Sequence, residues 1–126
     1  MAETHENIVP LDRLRRRGDF LRVARVGTKW VAPGLILQAA TRQNAEPGGP
    51  IRIGFTVSRK VGGSVERNRA RRRLREAARL VIPAKGRPAI DYVLIGRHTT
   101  LSRPWADLIH DLETALSRIR IDETAR

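Results

Sequence analysis

Residues 51–82 read IRIGFTVSRKVGGSVERNRARRRLREAARLVI, and a change of period inside this stretch decides the fold. Up to Ser58 the residues alternate, with Ile51, Ile53, Phe55 and Val57 on one side and Arg52, Gly54, Thr56 and Ser58 on the other. A period of two belongs to a strand with one buried face and one available face. Beyond Gly62-Gly63 the period becomes helical. Ser64 is placed to cap a helix, and Glu66 stands near the positive end of its dipole. The helix is expected to run to about Val81 and to stop before Pro83. At about 100° per residue, Ala70, Ala77, Ala78 and Val81 share the azimuth of Leu74, a narrow face of small residues that can lie close to a sheet. Asn68, Arg72, Arg75 and Arg79 form a stripe on the far side, with Arg69 and Arg73 on the opposite flank. Arg67 points in the core direction. A buried, unpaired guanidinium would cost several kcal/mol, so the first helical turn is expected to overhang the sheet. Arg67, Asn68 and Arg69 would then stand beside free backbone N–H groups, a ready anion site.

Working outward, residues 1–10 read as a flexible leader. Residues 12–25 read as a short basic helix capped by Asp12, with a break at Gly18. Gly27-Thr28 makes a turn, residues 29–31 a short strand, and residues 35–40 an apolar one. Glu46-Pro47-Gly48-Gly49-Pro50 is a loop by turn chemistry, so the runs at 35–40 and 51–58 read most simply as an antiparallel hairpin. Residues 90–96 are an apolar strand. Pro104 opens a final helix in which Trp105, Leu108, Ile109, Leu112, Ala115, Leu116 and Ile119 form a core stripe. The expected domain is residues 11–119, with 120–126 a tail. The class is α+β, a single-domain α/β sandwich with helices packed on one small sheet.

The 126 residues suit one aliphatic core, since only five are aromatic. No cysteine is present, which excludes disulfides and thiolate metal sites. No apolar run is long enough to span a bilayer and no signal core opens the chain, so a cytoplasmic location without a membrane partner is expected. The formal charge of +12 is segregated. Residues 11–30 hold seven basic and two acidic side chains, residues 59–79 hold nine and two, and the remainder sums to zero. Like charges gathered together repel unless they meet a polyanion. All but three of the 25 basic residues are arginine, whose flat fork grips phosphate and stacks on bases. Nucleic acid is therefore favoured over a membrane surface. A DNA major-groove helix fits poorly, because a strand and not a second helix precedes the arginine helix.

The run from Ile53 to Glu76, centred on Arg67-Asn68-Arg69 and preceded by Lys60 and Gly62, resembles the signature of the bacterial ribonuclease P protein family. Arg13-Leu14, Asp19-Phe20, Gly27-Thr28 and Asp91-Tyr92-Val93-Leu94-Ile95 extend the likeness over about residues 11–119. The resemblance implies a four-stranded sheet with three helices, similar to the second domain of ribosomal protein S5. It also implies a left-handed βαβ crossover through the arginine helix, against the usual right-handed preference. It further implies a subunit of the ribonucleoprotein endonuclease that removes the 5′ leader of precursor tRNA. Catalysis would reside in the RNA and its Mg²⁺, with no cofactor bound by the protein, no intrinsic activity in the protein alone and no protein oligomer. By the same resemblance Ser58, Arg59, Lys60, Arg67, Asn68, Arg69 and Arg72 would meet the catalytic RNA. Phe20, Lys29, Ile36, Gln38, Thr56, Arg71 and Arg75 would line the leader cleft. Core packing is the alternative reading for Phe20 and Ile36. Ala24 and Gln38 stand where some relatives carry aromatics, which implies a weaker stacking platform.

Two further readings compete. One is a ribosomal or other structural RNA-binding protein; the other is a membrane-active basic protein. Asp107, Asp111 and Glu113 on the last helix could suggest a metal site, but Asp107 and Asp111 are expected on a solvated face. His5, His98 and His110 form no arrangement with a catalytic rationale.

Overall fold

The computed structural model describes residues 10–42 and 46–121. The leader at 1–9 and most of the tail, 122–126, lie outside the described residues. The elements are β1 (Leu11–Arg13), α1 (Arg17–Val26), β2 (Thr28–Val31), β3 (Leu35–Thr41), β4 (Ile51–Thr56), α2 (Ser64–Lys85), β5 (Ile90–Gly96) and α3 (Trp105–Arg118). They build one mixed sheet of order β1-β4-β5-β3-β2. The sheet has five strands, not four. The additional one is β1, where a helix start was expected. Asp12 caps nothing, and Gly18 lies inside α1 without breaking it. The physical reason is the edge of β4, whose backbone groups need partners. Ile51 N–H donates to Pro10 at 3.0 Å and Leu14 N–H to Ile53 at 2.9 Å.

The expected β3–β4 hairpin does not form. β5 lies between them, antiparallel to β3 and parallel to β4, with α2 as the crossover from β4 to β5. β5 is apolar apart from Asp91 and is buried almost throughout, which suits a central strand covered on both faces.

One sheet face carries α2 and α3 over Leu35, Leu37, Ile51, Ile53, Tyr92 and Leu94. Helix α2 lies close because Ala70, Leu74, Ala77, Ala78, Val81 and Ile82 face inward. Its cap is Gly63, one residue before the expected Ser64. It also runs past Pro83, whose missing N–H forfeits a single bond in the last turn, while Gly86 N–H closes that turn onto Ile82 at 2.7 Å. In α3 the stripe of Leu108, Leu112, Ala115 and Leu116 is buried as expected, but Trp105 is exposed. Asp111, expected in solvent, is buried. It accepts from Gly34 N–H at 3.0 Å and from Arg103 Nε at 2.9 Å, tying α3 to the turn before β3. Arg103 is pushed above its ordinary pKa chiefly by that hydrogen bond.

Among the described residues the other face carries α1, on a small cluster of Leu14, Val23, Ala40 and Val93 with Phe20 and Ile95 beside it.

Candidate nucleic-acid interface

Two cationic surfaces meet at the β4 end of the sheet. The first is built by the turn into α2. Ser58 Oγ accepts from Lys60 N–H at 3.3 Å and starts a 3-10 turn, Arg59–Val61, that packs against α2. Gly62 follows at φ 152°, with the Glu66 side chain directly beneath it: a Cβ there would meet that of Glu66 at 2.8 Å. Glycine is needed at this position on both counts. Arg59, Lys60, Asn68, Arg69 and Arg72 are exposed, whereas Arg67, expected free at an overhanging turn, is half-buried in the first turn of α2. Arg67 Nε is buried without a hydrogen-bond partner among the described residues. Arg59, Lys60, Arg69 and Arg72 make no ion pair there either, so their charge is available to a ligand. Asn68 Oδ1 accepts from Arg71 Nη1 at 3.0 Å.

The second surface is a cleft. Arg13, Leu14, Arg15, Phe20, Ile53, Gly54, Phe55, Arg71 and Arg75 enclose about 310 Å³ between α1, the sheet edge and α2. Its floor is apolar and its walls are guanidinium. Arg75 lies over the Phe55 ring, 5.8 Å from its centroid. Of the seven residues expected in the cleft, Phe20, Arg71 and Arg75 line this cavity. The other four lie further along the same face of the sheet. Ile36 and Thr56 flank Ile95 in register, and Lys29 lies opposite Gln38 beside Val93. On that face Lys29 and Thr56 are exposed, and Ile36 and Gln38 are half-buried.

Sequence reasoning missed Arg13, Arg15 and Phe55 as cleft residues. Phe55 belonged to the alternating stripe and read as core. It also missed which arginines are structural. Arg73 donates to the carbonyls of Thr100, Leu101 and Arg103 at 2.8, 2.9 and 2.6 Å and stacks over Trp105. Arg79 pairs with Glu76 on the solvent side, which lowers the pKa of that carboxyl. Among the described residues no three His, Asp or Glu side chains gather as a metal would require, and no helix is long and apolar enough to cross a membrane.

A small sheet flanked by an unpaired arginine turn and an apolar-floored cationic cleft defines an RNA-binding protein. The sequence profile of the ribonuclease P family matches residues 10–120. The ribonuclease P protein component of Paramagnetospirillum magneticum is 57% identical over 110 residues, covering 86% of this chain and 83% of that one. That of Ruegeria pomeroyi is 54% identical over 107 residues, covering 84% of each. The ribonuclease P protein of Thermotoga maritima superposes with a TM-score of 0.71 at 26% identity, over 86% of this chain and 98% of that one. The chain belongs to the ribonuclease P protein family: it is the protein component of a ribonucleoprotein endoribonuclease, and its partner is the ribonuclease P RNA.

Proposed function

We propose that the two surfaces divide the work of the ribonucleoprotein. The turn at 58–60 and the first turns of α2, with Arg67, Asn68, Arg69 and Arg72, hold the catalytic RNA. The cleft, with Lys29, Ile36, Gln38 and Thr56 on the sheet face that α1 crosses, holds the single-stranded 5′ leader of precursor tRNA in the cytoplasm. The observation that carries this reading is the contrast in pairing. Arg73 is used up by backbone carbonyls and Arg79 by Glu76, while the cations at the entry to α2 have no partner among the described residues. Like charges crowded on one surface repel, and a bound polyanion relieves that repulsion while releasing its counterions.

The cleft suits a flexible single strand better than a duplex. Apolar and aromatic floor residues accept base faces, and arginine walls neutralise phosphates. Mg²⁺ held by the RNA would supply metal-assisted phosphodiester hydrolysis. This chain supplies the grip on the substrate's tail, which raises affinity for precursor over mature tRNA.

Reconstitution tests the reading. Mixed with a bacterial ribonuclease P RNA at low Mg²⁺, the protein restores accurate 5′ processing, and precursor tRNA binds more tightly than leaderless tRNA. RNA-free protein cuts nothing. Equal affinity for the two substrates would overturn the leader assignment. Cutting by the protein alone would overturn the placement of catalysis on the RNA.

A further inference from the structure

Asp91, in the central strand β5, is fully buried on the face that α1 crosses. Three guanidiniums from three separate parts of the chain converge on it. Arg52 of β4 donates from Nε to Oδ1 at 2.8 Å and from Nη2 to Oδ2 at 2.6 Å. Arg22 of α1 donates from Nη2 to Oδ2 and from Nη1 to the Thr41 carbonyl at 2.7 Å. Arg42, just after β3, holds its Nε 3.5 Å from Oδ1. Asp19 of α1 adds a second carboxylate, 3.5 Å from Arg52 and 3.9 Å from Arg22. Two acids thus hold three cations, and the acid that all three share is Asp91.

Apolar contact alone gives α1 a weak hold on the sheet. Of its ten residues only Val23 is buried. Yet α1 carries Phe20, part of the apolar lining of the cleft, so the shape of the cleft depends on the angle at which α1 is docked. We infer that Asp91 is a positioning residue for leader binding, fixing α1 through Arg22 so that the cleft is preformed before the leader arrives. The inference rests on the cleft being the leader site. Without the charge of Asp91, three guanidiniums repel one another. Arg22 is the one that can leave, because it stands on the weakly held helix. Helix α2 packs on the opposite face of the sheet, so its RNA-binding turn keeps its geometry. Burial of Asp91 also explains why an acid interrupts an apolar strand: nothing uncharged would gather these arginines.

The test uses the holoenzyme assembled on its catalytic RNA. Binding of precursor tRNA is compared with binding of leaderless tRNA for wild type, Asp91→Asn, Arg22→Gln and Phe20→Ala. Asp91→Asn is expected to lose roughly tenfold or more of the leader-dependent affinity, the scale of a lost charge-assisted hydrogen bond. Its affinity for the catalytic RNA and its cleavage rate at saturating substrate stay within about twofold of wild type, a KM effect without a kcat effect. Should Asp91→Asn fail to fold, Arg22→Gln leaves Asp91 paired with Arg52, removes the direct tie of α1 to Asp91 and leaves α1 only the longer Asp19–Arg52 pair, and the same selective loss is expected in smaller measure. A folded Asp91→Asn or Arg22→Gln protein with full leader discrimination, beside a Phe20→Ala protein that has lost it, would overturn the inference and leave the leader site standing. Parallel losses of catalytic-RNA and leader affinity would also overturn it, by showing a general structural role. No leader discrimination in wild type would remove the cleft assignment itself.

Discussion

The ring of Phe20 on α1 rests on the bare backbone of Gly54 in β4: a Cβ at Gly54 would stand 2.4 Å from Cε1 of that ring. The alternation of β4 had put Gly54 on an available face, yet it is buried because an aromatic ring covers it. Gly54→Ala therefore pushes Phe20, and α1 with it, off the sheet. Overpacking of this kind costs about 1–3 kcal/mol. Urea unfolding is expected to show that loss, together with weaker binding of the leader and unchanged binding of the catalytic RNA. A Gly54→Ala protein that kept both its stability and its leader affinity would show that Phe20 does not depend on this seat.

Arg72 and Arg73 are neighbours in a run of three arginines with opposite roles. Arg73 satisfies three backbone carbonyls in the segment between β5 and α3, and Arg72 reaches solvent. Arg73→Ala is expected to lower unfolding free energy by about 1.5–3 kcal/mol, the range for hydrogen bonds to a charged group. Its catalytic-RNA affinity should change little once folded. Arg72→Ala should do the reverse. Urea unfolding and RNA titration of the two proteins give a crossed result if the division holds, and a parallel one if it does not.

That division marks the limit of what could be read from the residues. The helical period gave the buried face of α2 correctly, because Ala70, Leu74, Ala77, Ala78 and Val81 obey a local rule. The inward azimuth of Arg67 was also legible, but its freedom was not: the side chain is half-buried and its Nε lies buried without a partner among the described residues, where an exposed overhang was expected. Whether a flank arginine is free or engaged depends on residues far away in sequence. Thr100 and Leu101, which hold Arg73, lie 27 and 28 positions on. Strand β1 escaped notice because three residues carry no period, and its reason for existing is the open edge of β4. The hairpin failed for a similar reason. Adjacency of β3 and β4 in the chain suggested a pairing, but the demand of β5 for cover on both faces placed it between them. Asp91 was visible as a lone acid in an apolar strand. That signal points to a buried ion network, but it does not name Arg22, Arg42 and Arg52 as its members.

Arg67 offers a direct test of the catalytic-RNA surface. Its Nε lies buried and unsatisfied among the described residues, and the half-buried side chain can meet an RNA phosphate or base edge through its exposed part. Arg67→Ala is expected to weaken catalytic-RNA binding by about 1–3 kcal/mol and to leave stability nearly unchanged. The salt dependence of binding should also become shallower, by close to one released counterion if the contact is to phosphate. Titrations at several salt concentrations read both effects. A large fall in unfolding free energy would make Arg67 a structural residue.

Tyr92 supplies a prediction about pH. It is fully buried in β5, and its hydroxyl accepts from Arg87 N–H at 3.0 Å. Burial pushes the phenol above its ordinary value, with the Arg87 N–H and charge opposing in smaller measure. The folded protein therefore keeps a proton that the unfolded chain releases near pH 10. Stability from this group is fully present below that pH and is lost as pH rises toward and through the folded-state value. Wild type is expected to lose unfolding free energy between about pH 9 and pH 11 more steeply than Tyr92→Phe, whose ring keeps the packing and has no proton to release. The two slopes, not the two absolute stabilities, carry the result, because the substitution also removes the acceptor for Arg87. Parallel curves across that interval would show that the hydroxyl ionises in the folded protein as easily as in the unfolded chain, and so that its burial does not hold the proton.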